Sequence, residues 1–440
     1  MSRLVIHGNR PLKGIIPVSG RKNSAVAVIP AAVMASGPSV LGNIPDIADV
    51  RTSLQILDAL GASWKWTAPH TLWIDPRPLH TQRVPAALGK RMRASYYFLG
   101  ALLGRLGEAV TPVPGGDDIG QRPIDQHLKG FAALGATATV AGGDIRVGAT
   151  RLEGARIYLD VVSVGATINL MLAAVLTPGV TVLENAAREP HVVDVANFLN
   201  AMGGYVTGAG TDVIKIRGVE ELHGAEHAII PDEIEAATYM IATAGTGGDV
   251  LLENVVPQHL EPVTAKLREA GCEIREEDET IRIRAEGRPR ATQVKTLPYP
   301  GFPTDAQPPM TALLSVADGT SVVTETIWEN RFHHAAELRR MGARIRVEER
   351  TAVVQGVERL EGADVREVSD LRSSAALVVA GLIAHGTTRI FGLEYLDRGY
   401  EALVEKLSGV GAYIERFDDD RVRLEPEDVL SDSLEGRQGA

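Results

Sequence analysis

Apolar and polar positions along this chain fall into a pattern that recurs six times. Each copy opens with a run of small and apolar residues long enough for a helix. The six runs are Ala25 to Ser36, Ala94 to Leu106, Ala166 to Thr177, Ile234 to Ala244, Met310 to Ala317 and Ser373 to Ala384. A strand rich in Val, Thr and Leu follows, such as Val180 to Glu184 or Val250 to Glu253. A second helix then ends on a glycine, at Gly61, Gly135, Gly203, Gly271, Gly342 and Gly411, spaced 74, 68, 68, 71 and 69 residues apart. Glycine takes the left-handed backbone that closes a helix at no steric cost, so each is predicted as a C′ residue. A closing strand comes next, as in Tyr413 to Arg416. The period predicts a β-α-β-α-β-β unit of about 70 residues. The first strand, Arg3 to Ile6, precedes the first unit and is patterned like the strands that close the others, so the N-terminus is free to cross into either half.

Length turns six units into two domains, since 440 residues exceed one comfortable core. Three units each put the boundary within Ile229-Ile230-Pro231-Asp232. The predicted division is 22–230 for the first domain and 1–21 plus 231–425 for the second, with an acidic, apolar-poor tail at 426–440. A net charge of −11 argues against a nucleic-acid or anionic-membrane partner, so an anionic substrate would need a local cluster of cations. The single cysteine, Cys272, allows neither an internal disulfide nor a cysteine metal cluster, which suits a reducing cytosol. The N-terminus lacks the apolar core of a signal peptide and no apolar stretch is long enough to span a bilayer, so the expected location is cytoplasmic.

The repeat also shows where chemistry can gather. Residues just before the first helices include Arg21-Lys22-Asn23, Arg91-Met92-Arg93, Ser163-Val164-Gly165, Asp232-Glu233, Thr304-Asp305 and Asp370-Leu371-Arg372. Loops before the second helices carry Asp117 with Arg122, Arg188, Arg331 and Arg398. If equivalent positions face one end of each domain, two such ends meeting make an anion-binding cleft of cations and helix N-termini. Plainer readings stand beside this one. Lys22 serves equally as a solvated helix start, Asp305 as an N-cap, and Arg331, Arg372 and Arg398 as ordinary salt-bridge partners. Pro114 to Pro123 holds three glycines, two adjacent carboxylates and an arginine; it reads as a mobile lid or as a solvated acidic turn.

Eight motifs then carry a resemblance that runs in order from about residue 3 to 416. They are Ser19-Gly-Arg-Lys-Asn-Ser24, Met92-Arg-Ala-Ser95, Pro114-Gly-Gly-x-x-Ile-Gly-x-Arg-Pro123, Ser163-Val-Gly-Ala-Thr167, Glu184-Asn-Ala-Ala-Arg-Glu-Pro190, Phe302-Pro-Thr-Asp-x-Gln307, Glu329-Asn-Arg-Phe332 and Asp397-Arg-Gly-Tyr400. Together they resemble the UDP-N-acetylglucosamine 1-carboxyvinyltransferases, enolpyruvyl transferases of peptidoglycan precursor synthesis. The resemblance implies two inside-out α/β barrel domains, each of three βαβαββ repeats, like EPSP synthase. It implies transfer of the enolpyruvyl group of phosphoenolpyruvate to the 3′-hydroxyl of UDP-N-acetylglucosamine, through a tetrahedral ketal, with no metal or other cofactor.

By the same resemblance Asp117 is the proton donor and Asp305 the base, while Lys22, Arg93, Arg122, Arg372 and Arg398 cradle the anions. Asn23, Arg122, Pro123, Ile124, Asp125, Gln126, Asp305 and Ile327 contact the nucleotide sugar, and Ser163, Val164, Gly165 and Arg331 complete the substrate-binding set. Closure is expected to bring Asp117 and Arg122 onto Asp305, Arg372 and Arg398. Two departures stand out. Asp117 replaces the cysteine of most members, which implies resistance to the epoxide fosfomycin and calls for a carboxyl able to donate near neutral pH, helped by Asp118. Glu233 stands where the family often has arginine, which removes a cation near the cleft. A paralogue acting on another nucleotide sugar and a catalytically silent sensor are the competing readings.

Overall fold

The computed structural model describes residues 2–366 and 369–418. The acidic tail expected at 426–440 lies outside them. All six C′ glycines have the left-handed backbone, with φ between 92° and 105°. The six first helices form at Lys22–Ala32, Tyr97–Leu106, Val164–Ala174, Glu233–Thr246, Gln307–Leu314 and Leu371–Ile383. They lie on the inside: every residue of Leu371–Ile383 is buried, and so is every residue from Gly165 to Ala174. A helix apolar on all sides has no face to give to water, so the sheets must wrap around it. The strands accordingly alternate, Val213–Arg217 burying Ile214 and Ile216 while its other residues face out.

One sheet order recurs. In the third unit Arg156–Tyr158 runs parallel to Val180–Glu184, which pairs antiparallel with Val213–Arg217, and Tyr205–Thr207 is the far edge. The fifth unit repeats the order within its own sequence. Three units depart from the expected sequence order. The first unit takes its leading strand from Glu226–Ala228, beside Ser39–Gly42. The fourth takes its own from Lys13–Pro17, beside Asp249–Glu253. The sixth is completed by Arg3–His7, inserted between Thr387–Phe391 and Tyr413–Phe417. In the second unit a single bridge, Arg83 to Val110, occupies the leading position.

Two hydrophobic cores result. One draws on residues between Ala25 and Ile229, the other on Leu4 to Val18 together with Ala236 to Ile414. We read them as two domains and propose the division 22–230 against 1–21 with 231–425. The two segments that join the cores lie side by side and antiparallel. Arg21 N–H donates to Ile230 O at 2.8 Å and Asp232 N–H to Ser19 O at 2.9 Å. Gly20 has no alternative there, because a Cβ would stand 1.6 Å from the Asn43 carbonyl oxygen.

Candidate active site

The joining strands end at two helix starts, and Asp232 serves both. Its Oδ1 caps its own helix by accepting from Ile234 and Glu235 N–H, while Oδ2 accepts from Lys22 N–H at 2.9 Å. Lys22 is thereby fixed at the mouth of its helix, with Nζ 2.7 Å from Asp49. Asp49 also grips Arg398 of the other core through both oxygens, at 2.9 and 3.2 Å. Burial alone would raise the Asp49 carboxyl, but Lys22 and Arg398 outweigh it and hold it below the usual range. Asp49 had no signal in the sequence, being one acidic residue at a helix start.

Arg398 carries a second anion. Its Nη1 lies 2.6 Å from Asp117, so the Pro114–Pro123 segment is folded across the gap between the cores. The segment is held there along its length. Asp118 N–H donates to Ser369 O at 2.8 Å, His333 Nε2 lies 3.0 Å from Asp118 O, and Asn330 N–H reaches Ile119 O at 3.2 Å. The solvated-turn reading is thus excluded. Arg122 lies over the Trp328 ring, 5.2 Å from its centroid, and Arg93 Nη2 bonds the Arg122 carbonyl. Asp117 thus lies on Arg398, one of its three expected neighbours, whereas Arg122 lies on Trp328 and neither residue pairs with Asp305 or Arg372. Asp117 is paired with a guanidinium, whereas Asp118 turns its backbone to the second core.

A second cluster faces this one. Asp305 sits in the turn Thr304–Ala306, and its carboxylate does not cap the helix that follows. It meets Arg331 at 2.8 Å and Arg372 at 3.3 Å. Burial opposes its ionisation, but Arg331, Arg372 and the charge of Lys22 together hold Asp305 far below the ordinary carboxylate range. Arg331 is 2% exposed and is spent on Asp305, Asp370 and Thr304, so it orients the cluster more than it offers a free fork. Arg372 stacks over Tyr400 and keeps its buried Nη1 without a hydrogen-bond partner.

The remaining expected residues lie at helix starts and turns. Asn23 follows Lys22 in the same helical turn. Pro123 and Ile124 lead into the helix Asp125–Ala133, where Gln126 ties the chain to Asp160, accepting its N–H at 2.9 Å. Ser163 caps the helix beginning at Val164, and a Cβ on Gly165 would stand 2.4 Å from the Tyr96 hydroxyl. Ile327 is half-buried in the turn after Thr320–Thr324. At 233 the carboxylate also takes up a neighbouring cation: Arg21 forms a buried ion pair with Glu233 across the joining strands.

Comparisons with known proteins agree in coverage and direction. A profile of EPSP synthase (3-phosphoshikimate 1-carboxyvinyltransferase) matches residues 6–407. A protein of Caldanaerobacter subterraneus named UDP-N-acetylglucosamine 1-carboxyvinyltransferase 3 is 56% identical over 95% of this chain and all of its own length. The chain belongs to the UDP-N-acetylglucosamine 1-carboxyvinyltransferase family. A relative from Symbiobacterium thermophilum carrying the same name is 54% identical, over 94% of this chain and 98% of its own. Among solved structures, the enolpyruvyl transferase NikO from Streptomyces tendae superposes with a TM-score of 0.84 at 28% identity, covering 94% of this chain and 98% of that one. EPSP synthase from Acinetobacter baumannii shares the fold, with a TM-score of 0.75 at 21% identity over 95% of this chain and 100% of that one. The architecture is therefore the two-domain enolpyruvyl transferase fold.

Proposed function

We propose that this chain transfers the enolpyruvyl group of phosphoenolpyruvate to the 3′-hydroxyl of UDP-N-acetylglucosamine and releases phosphate, a step of peptidoglycan precursor synthesis. The observation that carries the reading is the facing of two clusters. An ionised Asp305 held by two arginines looks across at Lys22 and Arg398, with a carboxylate on a glycine-rich lid between them.

In this reading the nucleotide sugar lies along Asn23, Arg122 to Gln126, Ser163 to Gly165 and Ile327, with its 3′-hydroxyl at Asp305. Phosphoenolpyruvate lies among Lys22, Arg93, Arg122, Arg372 and Arg398. Its anionic groups take the place that Asp117 holds on Arg398, and the released lid carboxylate takes up a proton from solvent and delivers it to the methylene carbon. The hydroxyl oxygen bonds to C2 and gives its proton to Asp305. Because Asp305 is a weak base, that transfer comes late, when the attacking oxygen has become acidic. The Asp117 carboxylate then takes a proton back from the methyl group of the ketal as the C–O bond to phosphate breaks, forming the vinyl ether, and the proton held by Asp305 leaves with the phosphate. Fixed cations around the phosphate and carboxylate stabilise the charge that develops.

Phosphate release from phosphoenolpyruvate with UDP-N-acetylglucosamine, measured for wild type and Asp117→Ala, tests the proposal. Turnover in the first and its loss in the second support it. Turnover only with another nucleotide sugar moves the assignment to a paralogous transferase, and none with any leaves a sensor.

A further inference from the structure

Glu325 is 0% exposed and has no role in the chemistry described above. Its carboxylate is nevertheless surrounded by donors. Oε1 accepts from Thr296 Oγ1 at 2.8 Å, Ile327 N–H at 2.8 Å and Trp328 N–H at 3.2 Å. Oε2 accepts from Thr304 Oγ1 at 2.8 Å. A buried carboxylate is costly unless its lone pairs are met by donors, and here four polar hydrogens converge on it.

The three groups other than Thr296 lead to different parts of the site. Thr304 Oγ1 accepts from Arg331 Nη1 at 2.8 Å, and Arg331 Nη2 meets Asp305 at 2.8 Å. Ile327 belongs to the proposed sugar site, and Trp328 presents the ring on which Arg122 rests. We propose that Glu325 is a positioning residue for the transfer, aligning Asp305 through Thr304 and Arg331 while its second oxygen fixes the turn that carries Ile327 and Trp328. The inference rests on Asp305 being the base.

The two oxygens make separate tests possible. In Glu325→Gln the amide oxygen can keep only one set of partners. Facing its NH2 toward Ile327, Trp328 and Thr296 would oppose donors, so the oxygen stays there and the NH2 turns to Thr304. A hydroxyl can accept as well as donate, so that bond reverses and the aim of Arg331 on Asp305 shifts. The substitution therefore perturbs the base and spares the turn. Misplacement of a reacting group by about 1 Å costs up to about 100-fold in rate.

The experiment measures kcat, KM for each substrate, the pH profile of kcat and the melting temperature for Glu325→Gln, Thr304→Val, Thr304→Ser and Asp305→Asn. Glu325→Gln and Thr304→Val are expected to lower kcat about 10- to 100-fold and move its acid limb, with KM for the nucleotide sugar within about twofold of wild type. Thr304→Ser, which keeps the hydroxyl, is expected to restore kcat. Wild-type kcat and pH profile in Thr304→Val overturn the inference, even if Glu325→Gln fails to fold. So does a loss in Thr304→Val that Thr304→Ser does not rescue. An active Asp305→Asn overturns the base assignment itself, whereas an inactive one beside a normal Thr304→Val removes only the role of Glu325.

Discussion

At the scale of single residues, the site is governed by which anion sits on which cation. Asp117 on Arg398 presents a carboxylate oxygen and no sulfur, and an epoxide needs a good nucleophile to open it. Wild-type enzyme is expected to keep its activity after incubation with fosfomycin, and Asp117→Cys to lose it progressively with time; phosphate-release assays after preincubation decide this. Asp49 makes a different case. It neutralises Lys22 and Arg398 together, so Asp49→Asn leaves two half-buried cations competing for fewer acceptors. We expect a rise of about tenfold or more in KM for phosphoenolpyruvate, read by steady-state kinetics, with KM for the nucleotide sugar much less affected. These pairings were not legible in the sequence. Lys22, Asp305 and Arg398 could be singled out by motif, but Asp49 and Arg398 are 349 residues apart and nothing local marks them as partners. The same holds for Arg21 and Glu233, whose pairing was hidden behind an apparent loss of charge.

Among the elements, the paired joining strands are the most constrained. Burial pushes the Glu233 carboxyl from 4.5 up to about 7 despite the neighbouring Arg21. A carboxyl raised on folding adds stability below its unfolded value that is lost as pH rises through the folded one, here on the order of 3 kcal/mol between about pH 4.5 and 7. Glu233→Gln cannot ionise, so its melting temperature should gain on wild type from pH 5 to 7.5. Taking the difference cancels the buried His127, His191 and His334, which titrate alike in both proteins. A difference that stays flat with pH would count against a buried, titrating Glu233. Gly20→Ala should cost about 3 kcal/mol or more, seen in denaturant unfolding, because the Asn43 carbonyl fills the space a Cβ needs. The elements themselves were largely readable. The six C′ glycines and the six first helices follow from local rules of helix ending and apolar patterning. Tertiary pairing decided the rest: Glu226–Ala228 and Lys13–Pro17 are short strands whose partners could not be chosen by pattern.

For the whole molecule, the cleft is set by the way the chain passes between its cores. The joining strands place the Lys22 and Glu233 helix starts back to back, and the lid spans what remains. Deleting residues 2–18 tests that organisation. It removes the strand between Thr387–Phe391 and Tyr413–Phe417 and the one beside Asp249–Glu253, but leaves the core of Ala25 to Ile229 intact. Limited proteolysis of the truncated protein should release a resistant fragment from the first core alone, while the full chain resists across both.

The strand Arg3–His7 also has a consequence for synthesis. It leaves the ribosome long before its neighbours Thr387–Phe391 and Tyr413–Phe417. At roughly 5–20 residues per second that interval is tens of seconds. During it the first core can complete itself once Glu226–Ala228 has emerged, with Arg3–His7 still unpaired. The chain thus completes the core of Ala25 to Ile229 before Arg3–His7 can find either partner.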